Sequence, residues 1–271
     1  MTKKFIQKKK LGLALGSGGW RGQAHVGVIK ALVNAGIKID FIAGTSAGAM
    51  VGGAYASSGD VEELEKVFRE KIDKKSLFWA FSDPKPSLGM FKGERIKKVF
   101  EDLFGKHKIE DLKIPFCAIS TDLLTGEVIE ISDGNLAIAI RASTSIPFIF
   151  EPVKYKKYRL IDGGTAVPVP VKTAKQMGAD VVIAVNLYKN IFPVKASKMS
   201  SVKSVLKTMQ IMMYHLARHS CQVADFVIEP DIEETKVFSD PFIGFINKKG
   251  VIEAGEKETL KHIAAIKKLL S

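Results

Sequence analysis

The chain has 271 residues, of which 46% are hydrophobic, with two cysteines and a formal net charge of +12. That composition excludes a disordered, collagen-like or disulfide-scaffold chain, and the length suits one large α/β domain. No run approaches the ~20 apolar residues of a membrane span, and the start MTKKFIQKKK leads into a run too short and Gly-rich for a signal-peptide core.

Lys10–Leu15 reads as a buried strand ending in the Gly-rich turn GSGGWRG. Gln23–Ala35 carries Val26, Ile29 and Val33 near helical spacing and stops at Gly36. Phe41–Ala43 is a short strand running into GTSAG, and Ala47–Ser57 a helix of small residues suited to tight packing on a sheet. Val61–Lys71 is helical. Ser76–Lys92 mixes Phe78, Trp79, Phe81, Met90 and Phe91 with Pro and Gly, and its lack of a period predicts a loop or cap. Glu94–Phe104 is an amphipathic helix ended by Gly105. Phe116–Thr121 and Glu127–Ile131 are strands around a turn at Thr125–Gly126. Asn135–Ser143 is a helix. Val153–Tyr155 and Tyr158–Ile161 are strands flanking Lys156–Lys157. Val169–Gln176 is helical, Val181–Val185 a buried strand, Lys203–Cys221 a long helix, Phe226–Glu229 a last strand and Glu253–Leu270 a closing helix.

Strands alternating with helices predict an α/β fold: a single domain with a central, mainly parallel sheet flanked by helices. Residues 1–10 form a basic N-terminal segment ahead of one domain over 11–271. Its motifs lie within about 11–187, and its helical C-terminal part covers about 200–271.

Gly44-Thr45-Ser46-Ala47-Gly48 lies between a predicted strand and a predicted helix. A nucleophile elbow needs that context: a sharp turn exposes the serine hydroxyl, and small flanking residues avoid clashes in the strained backbone. The competing reading is a helix N-cap serine. Gly16-Ser17-Gly18-Gly19-Trp20-Arg21-Gly22 also follows a strand and precedes a helix. Its backbone N–H groups suit a phosphate or an oxyanion equally. A dinucleotide loop fails on spacing, since Arg21 stands where the third glycine belongs, and no Gly-Lys-Ser/Thr follows to make a P-loop. Asp162-Gly163-Gly164 ends a strand; alone it is a common turn.

Together these motifs, with Arg141–Pro147 (RASTSIP), resemble the patatin-like phospholipase family from about Leu11 to Leu187, especially its small bacterial members. The resemblance implies a patatin-like fold and a serine acyl hydrolase acting on phospholipids, lysophospholipids or related esters. Ser46 is then the nucleophile and Asp162 its general base, without histidine. Gly18 and Gly19, with Arg21 or Gly22, supply the oxyanion hole; Gly44, Thr45, Ala47 and Gly48 form the elbow, and Gly163 and Gly164 complete the aspartate motif. No metal or cofactor is required. Such a dyad leads us to expect a partly enclosed Asp162 with a raised pKa and a short hydrogen bond to Ser46.

Three rivals stay open. An α/β-hydrolase triad runs Ser, acid, His, and His215, His219 and His262 all follow Asp162. A phosphate- or nucleotide-binding regulator would use Gly16–Gly22 alone, and a catalytically idle scaffold is the third. His215 and His219 have the spacing of a metal pair but no carboxylate nearby, so a helix-surface or packing role is preferred. His25 reads as structural, and His107 lies in a charged turn. Met209, Met212, Met213 and Leu216 read as core packing first and an acyl channel second. Cys117 and Cys221 read as free thiols. Lys3, Lys4, Lys8, Lys9, Lys10, Lys195, Lys198, Lys203 and Lys207 read first as a well-solvated basic surface; of the functional readings they favour anionic lipid over nucleic acid, since no nucleic-acid motif accompanies them. The expectation is a soluble cytoplasmic protein, peripheral at the membrane, of unspecified oligomeric state.

Overall fold

Leu11–Leu15 form β1, a strand with every residue buried, at the centre of an eight-stranded sheet. The computed structural model describes residues 9–71, 79, 82–84, 89–188, 201–232 and 250–271. After β1 come α1 (Ala24–Asn34), β2 (Phe41–Thr45), α2 (Ala47–Ser58), α3 (Val61–Lys66), β3 (Gly89–Phe91) and α4 (Glu94–Phe104). Next are β4 (Phe116–Asp122), β5 (Val128–Ile131), α5 (Leu136–Ser143), β6 (Phe148–Phe150), β7 (Val153–Tyr155) and β8 (Tyr158–Asp162). The remainder is α6 (Val171–Gln176), β9 (Val181–Val185), α7 (Ser201–Cys221), β10 (Phe226–Ile228), α8 (Val251–Leu260) and α9 (Ile263–Leu270).

β10, β9, β1, β2 and β4 run parallel, while β5 and β8 pair antiparallel to β4 and β7 pairs antiparallel to β8. Side chains alternate across the sheet. Leu11, Leu13, Leu15, Ile183 and Val185 face a core built with α1, α2, α5 and α8. Ala14, Ala43, Val182 and Ala184 face a smaller core built with α6 and α7. Strands buried on both faces read as continuous apolar runs, which is why β1 and β9 were legible without alternation.

The outer helices are fixed by small residues and charge. A Cβ on Gly27 would lie 1.9 Å from the Ile252 carbonyl oxygen, and one on Gly255 2.0 Å from that of Ala24, so α1 and α8 touch backbone to backbone. Lys30 pairs with Glu65 at 2.9 Å and Glu256 at 3.6 Å, and Arg69 with Glu65 and Glu253 at 2.7 Å each, tying α1, α8 and the α3 region together.

Several expectations are corrected. The end of the Ser76–Lys92 segment is not loop: β3 pairs in parallel with β6, a strand the sequence reading also missed. Gly89 permits this, because a Cβ there would meet the Phe150 carbonyl carbon at 2.5 Å. Phe78 and Phe81 lie outside the described residues, as do Lys3, Lys4, Lys8, Lys195 and Lys198. The closing helix is two helices, broken at Lys261–His262, where the His262 ring packs tilted against Phe226 and bonds Glu258. Val67–Lys71 winds as a π-helix after α3. Met212 is 59% exposed and is not core. Cys117 and Cys221 are buried free thiols. Among the described residues, no helix is long and apolar enough to cross a membrane.

Candidate active site

The site forms where β4 changes partner. β2 pairs with the first half of β4, ending with Thr45 opposite Ile119. β8 pairs with the second half, with Asp162 opposite Ser120. β5 spans both halves from Ala118 to Thr121, so it occupies the other edge, and β2 and β8 lie end to end on one edge. Their C-terminal ends therefore meet.

Ser46, one residue past β2, has φ 54° and ψ −118°, a sterically disfavoured backbone for a residue with a Cβ. The surrounding structure holds it there. Its N–H donates to Ser143 Oγ at 2.8 Å, whose hydroxyl donates to the Ile119 carbonyl at 2.6 Å. Thr45 Oγ1 donates to the Val167 carbonyl at 2.9 Å. Gly44 and Gly48 are required by space: their Cβ atoms would stand 2.6 Å from Ala49 Cα and 2.1 Å from the Leu15 carbonyl oxygen.

Ser46 Oγ donates to Asp162 Oδ2 at 2.6 Å, a distance typical of a hydroxyl on a carboxylate. Asp162 Oδ1 accepts the Gly164 N–H at 2.7 Å, and the Asp162 N–H donates to the Ser145 carbonyl at 2.9 Å. Both side chains are enclosed, with Ser46 5% and Asp162 1% exposed. Burial raises the Asp162 carboxyl to about 6, against the opposing pull of the Ser46 and Gly164 hydrogen bonds.

The Gly-rich loop lies against both motifs. A Cβ on Gly22 would meet Ala47 Cβ at 2.3 Å, and one on Gly164 would lie 3.0 Å from both Ser17 Oγ and Asp162 Oδ1. Gly16 and Ser17 N–H groups are held by the Val185 and Pro168 carbonyls at 3.1 and 2.8 Å. The N–H groups of Gly18 and Gly19 donate to no acceptor among the described residues. Gly19 sits at φ 58°. Arg21 turns back on the loop: Nε donates to the Gly18 carbonyl at 3.2 Å, and the guanidinium lies 5.0 Å from the Tyr188 ring centre.

His25 is structural, as read. It is fully buried, and desolvation lowers it to about 4. The neutral ring is assigned the tautomer whose Nε2–H donates to the Gly16 carbonyl at 2.7 Å. His215 is exposed beside Tyr214, His219 is exposed, and His262 bonds Glu258 at 3.2 Å. Among the described residues no histidine bonds Ser46 or Asp162, and no group of three or more His, Cys, Asp or Glu is arranged to hold a metal ion.

Sequence reasoning missed Ser143, Ser17 and Tyr188. Ser143 lies inside RASTSIP, but only the fold shows that it props the elbow. Tyr188 reaches the site from just beyond β9, its hydroxyl 3.0 Å from Ser17 Oγ and donating to Met213 sulfur at 3.4 Å. No spacing links these residues in the sequence.

Residues 13–175 match the family described as patatin-like phospholipase. An uncharacterised NTE-family protein of Mycobacterium tuberculosis (H37Rv) is 38% identical over 178 residues, which is 66% of this chain and 49% of that protein. Lysophospholipase nte1 of Neurospora crassa is 35% identical over 181 residues, 66% of this chain and 12% of that protein. The matched stretch is thus about half of the mycobacterial relative (49%) and a small part of the fungal one. The crystal structure of VipD from Legionella pneumophila aligns over 95% of this chain and 67% of its own, with 13% identity and a TM-score of 0.49. With the family match running from β1 through α6 and including all three motifs, the chain belongs to the patatin-like phospholipase family.

Proposed function

We propose that this chain is a serine acyl hydrolase cleaving fatty-acyl esters of phospholipids or lysophospholipids, with simpler esters or thioesters as lesser substrates. One observation carries the reading: the 2.6 Å hydrogen bond from Ser46 Oγ to a buried carboxylate. Ser46 attacks the acyl carbonyl while Asp162 takes its proton. The N–H groups of Gly18 and Gly19, aided by Arg21 or Gly22, hold the oxyanion, where each donor contributes ~2.7–4 kcal/mol. Collapse expels the alcohol, protonated by Asp162, and leaves Ser46 acylated. Water then attacks the acyl carbonyl as Asp162 takes its proton, and Asp162 returns that proton to Ser46 Oγ as the acyl–oxygen bond breaks and the fatty acid departs. A carboxyl raised to about 6 is largely ionised at neutral pH yet basic enough to assist.

The lysophospholipase name of the fungal relative supports the lipid substrate. Residues 11–271 act as one catalytic unit working from the aqueous phase, in the cytoplasm, with peripheral contact to an anionic membrane helped by the net charge of +12.

The test is a panel of acyl esters and phospholipids with products identified by mass. Ser46→Ala and Asp162→Asn should each lower kcat by about a thousand-fold or more while staying folded. Full activity in Asp162→Asn sinks the dyad. His215→Ala, His219→Ala and His262→Ala should retain turnover; collapse in any one favours a triad.

A further inference from the structure

We propose that the β7–β8 ribbon and the Leu123–Leu124 turn beside it dock this protein on an anionic bilayer. The inference rests on the lipid-hydrolase reading and adds the face that meets the lipid.

Lys154 and Arg159 stand directly opposite each other in the ribbon. Like charges in that register destabilise a two-stranded pair, so its own stability does not account for them. Lys156 and Lys157 follow at the turn, Lys156 at φ 52°. All four cations are exposed. Lys156 meets Asp133 at 3.5 Å, and exposed Glu127 flanks the neighbouring turn, so positive charge prevails without being total.

The adjoining turn adds an apolar tip. Leu123 is 46% and Leu124 74% exposed. Asp122 holds the turn rigid: Oδ2 accepts the Thr125 N–H and hydroxyl at 3.2 and 2.9 Å, and Oδ1 accepts the Arg159 N–H at 2.8 Å. The Leu123 N–H donates to the Arg159 carbonyl at 2.8 Å, joining tip to ribbon. A leucine pair held outward by hydrogen bonds loses little conformational freedom on insertion. Cations beside apolar side chains match a surface of negative headgroups over acyl chains. Tyr158 to Asp162 is one strand, so the ribbon's turn lies about 13 Å along the strand from the carboxylate, at a rise of roughly 3.3 Å per residue.

The experiment uses Ser46→Ala protein, which leaves vesicles intact, and measures co-sedimentation with vesicles of phosphatidylcholine alone or mixed with phosphatidylserine. Binding should require phosphatidylserine and weaken with salt. Joint Lys154→Gln and Lys157→Gln substitution should lower partitioning by about twenty-five-fold, at about five-fold per cation. Leu124→Ser should lower it by about ten-fold. Equal binding to both vesicle types, or binding unchanged in both variants, overturns the proposal. So does sedimentation showing that Leu124→Ser dissolves a self-associated species while vesicle binding persists. Turnover of a water-soluble ester by the parent protein tests the hydrolase reading separately: cleavage without vesicle binding removes only the docking surface, and binding without cleavage only the hydrolase.

Discussion

Asp162 follows Thr45 along one edge of β4: Thr45 is opposite Ile119 and Asp162 opposite Ser120. β2 arrives parallel and β8 antiparallel, so the residue after Thr45 faces the end of β8. Ser143 holds the seam by accepting from Ser46 N–H and donating to the Ile119 carbonyl. The Ser46–Asp162 pairing is thus a consequence of sheet register, which burial on both faces fixes strongly. No flexible loop has to bring the two groups together.

The pH–rate profile follows from burial. A base must be unprotonated to act, and Asp162 is raised to about 6. On a water-soluble ester, kcat/KM should rise with pH through a single ionisation near 6 and then level. A limb near the ordinary carboxylate value of about 4 would mean that Asp162 is solvated in the working enzyme.

The motif glycines should separate by mechanism. Gly48→Ala drives a methyl to 2.1 Å from the Leu15 carbonyl oxygen, whereas Gly19→Ala meets no described residue within 4 Å and bears the strain of φ 58°. Urea unfolding should show a loss of about 3 kcal/mol or more for Gly48→Ala. Gly19→Ala should lose roughly 1–2 kcal/mol. Equal losses would refute the packing argument.

Much of this was legible in the sequence for local reasons. Buried strands such as Val181–Val185 announce themselves as apolar runs, and GTSAG, GSGGWRG and DGG are contiguous. What was not legible depends on distant partners. β3 exists because Gly89 allows β6 to approach, and Gly89 in a Pro-containing segment reads as loop. Tyr188 joins the site only because β9 lies beside β1, which delivers Ser17. The break at Lys261–His262 carries neither Gly nor Pro to mark it.

Ser143→Ala tests the prop beneath the elbow. It leaves the buried Ser46 N–H without its acceptor, at a cost of about 1–3 kcal/mol. The larger effect should fall on kcat, with KM nearly unchanged, because Ser46 loses the contact that holds its disfavoured backbone. Ser143→Thr keeps the oxygen and should recover most of the rate. An effect on KM alone would assign Ser143 to substrate binding instead.

Two buried groups give stability opposite pH slopes. Burial raises Asp162 from 3.8 to about 6 and lowers His25 from 6.5 to about 4. Between those limits the folded state holds a proton on Asp162 that the unfolded chain has released, so stability falls as pH rises through the window. His25 acts the other way: the unfolded chain takes up a proton that the folded state refuses, so stability falls as pH drops through the same range. Each contribution is on the order of 3 kcal/mol, and in the wild type they largely cancel. Asp162→Asn removes one and leaves the His25 slope alone. Its unfolding free energy, measured in urea between about pH 4 and about pH 7, should climb relative to wild type as pH rises. Parallel profiles would mean that the Asp162 carboxylate is not desolvated, and the ground for proposing it as a base of raised pKa would be gone.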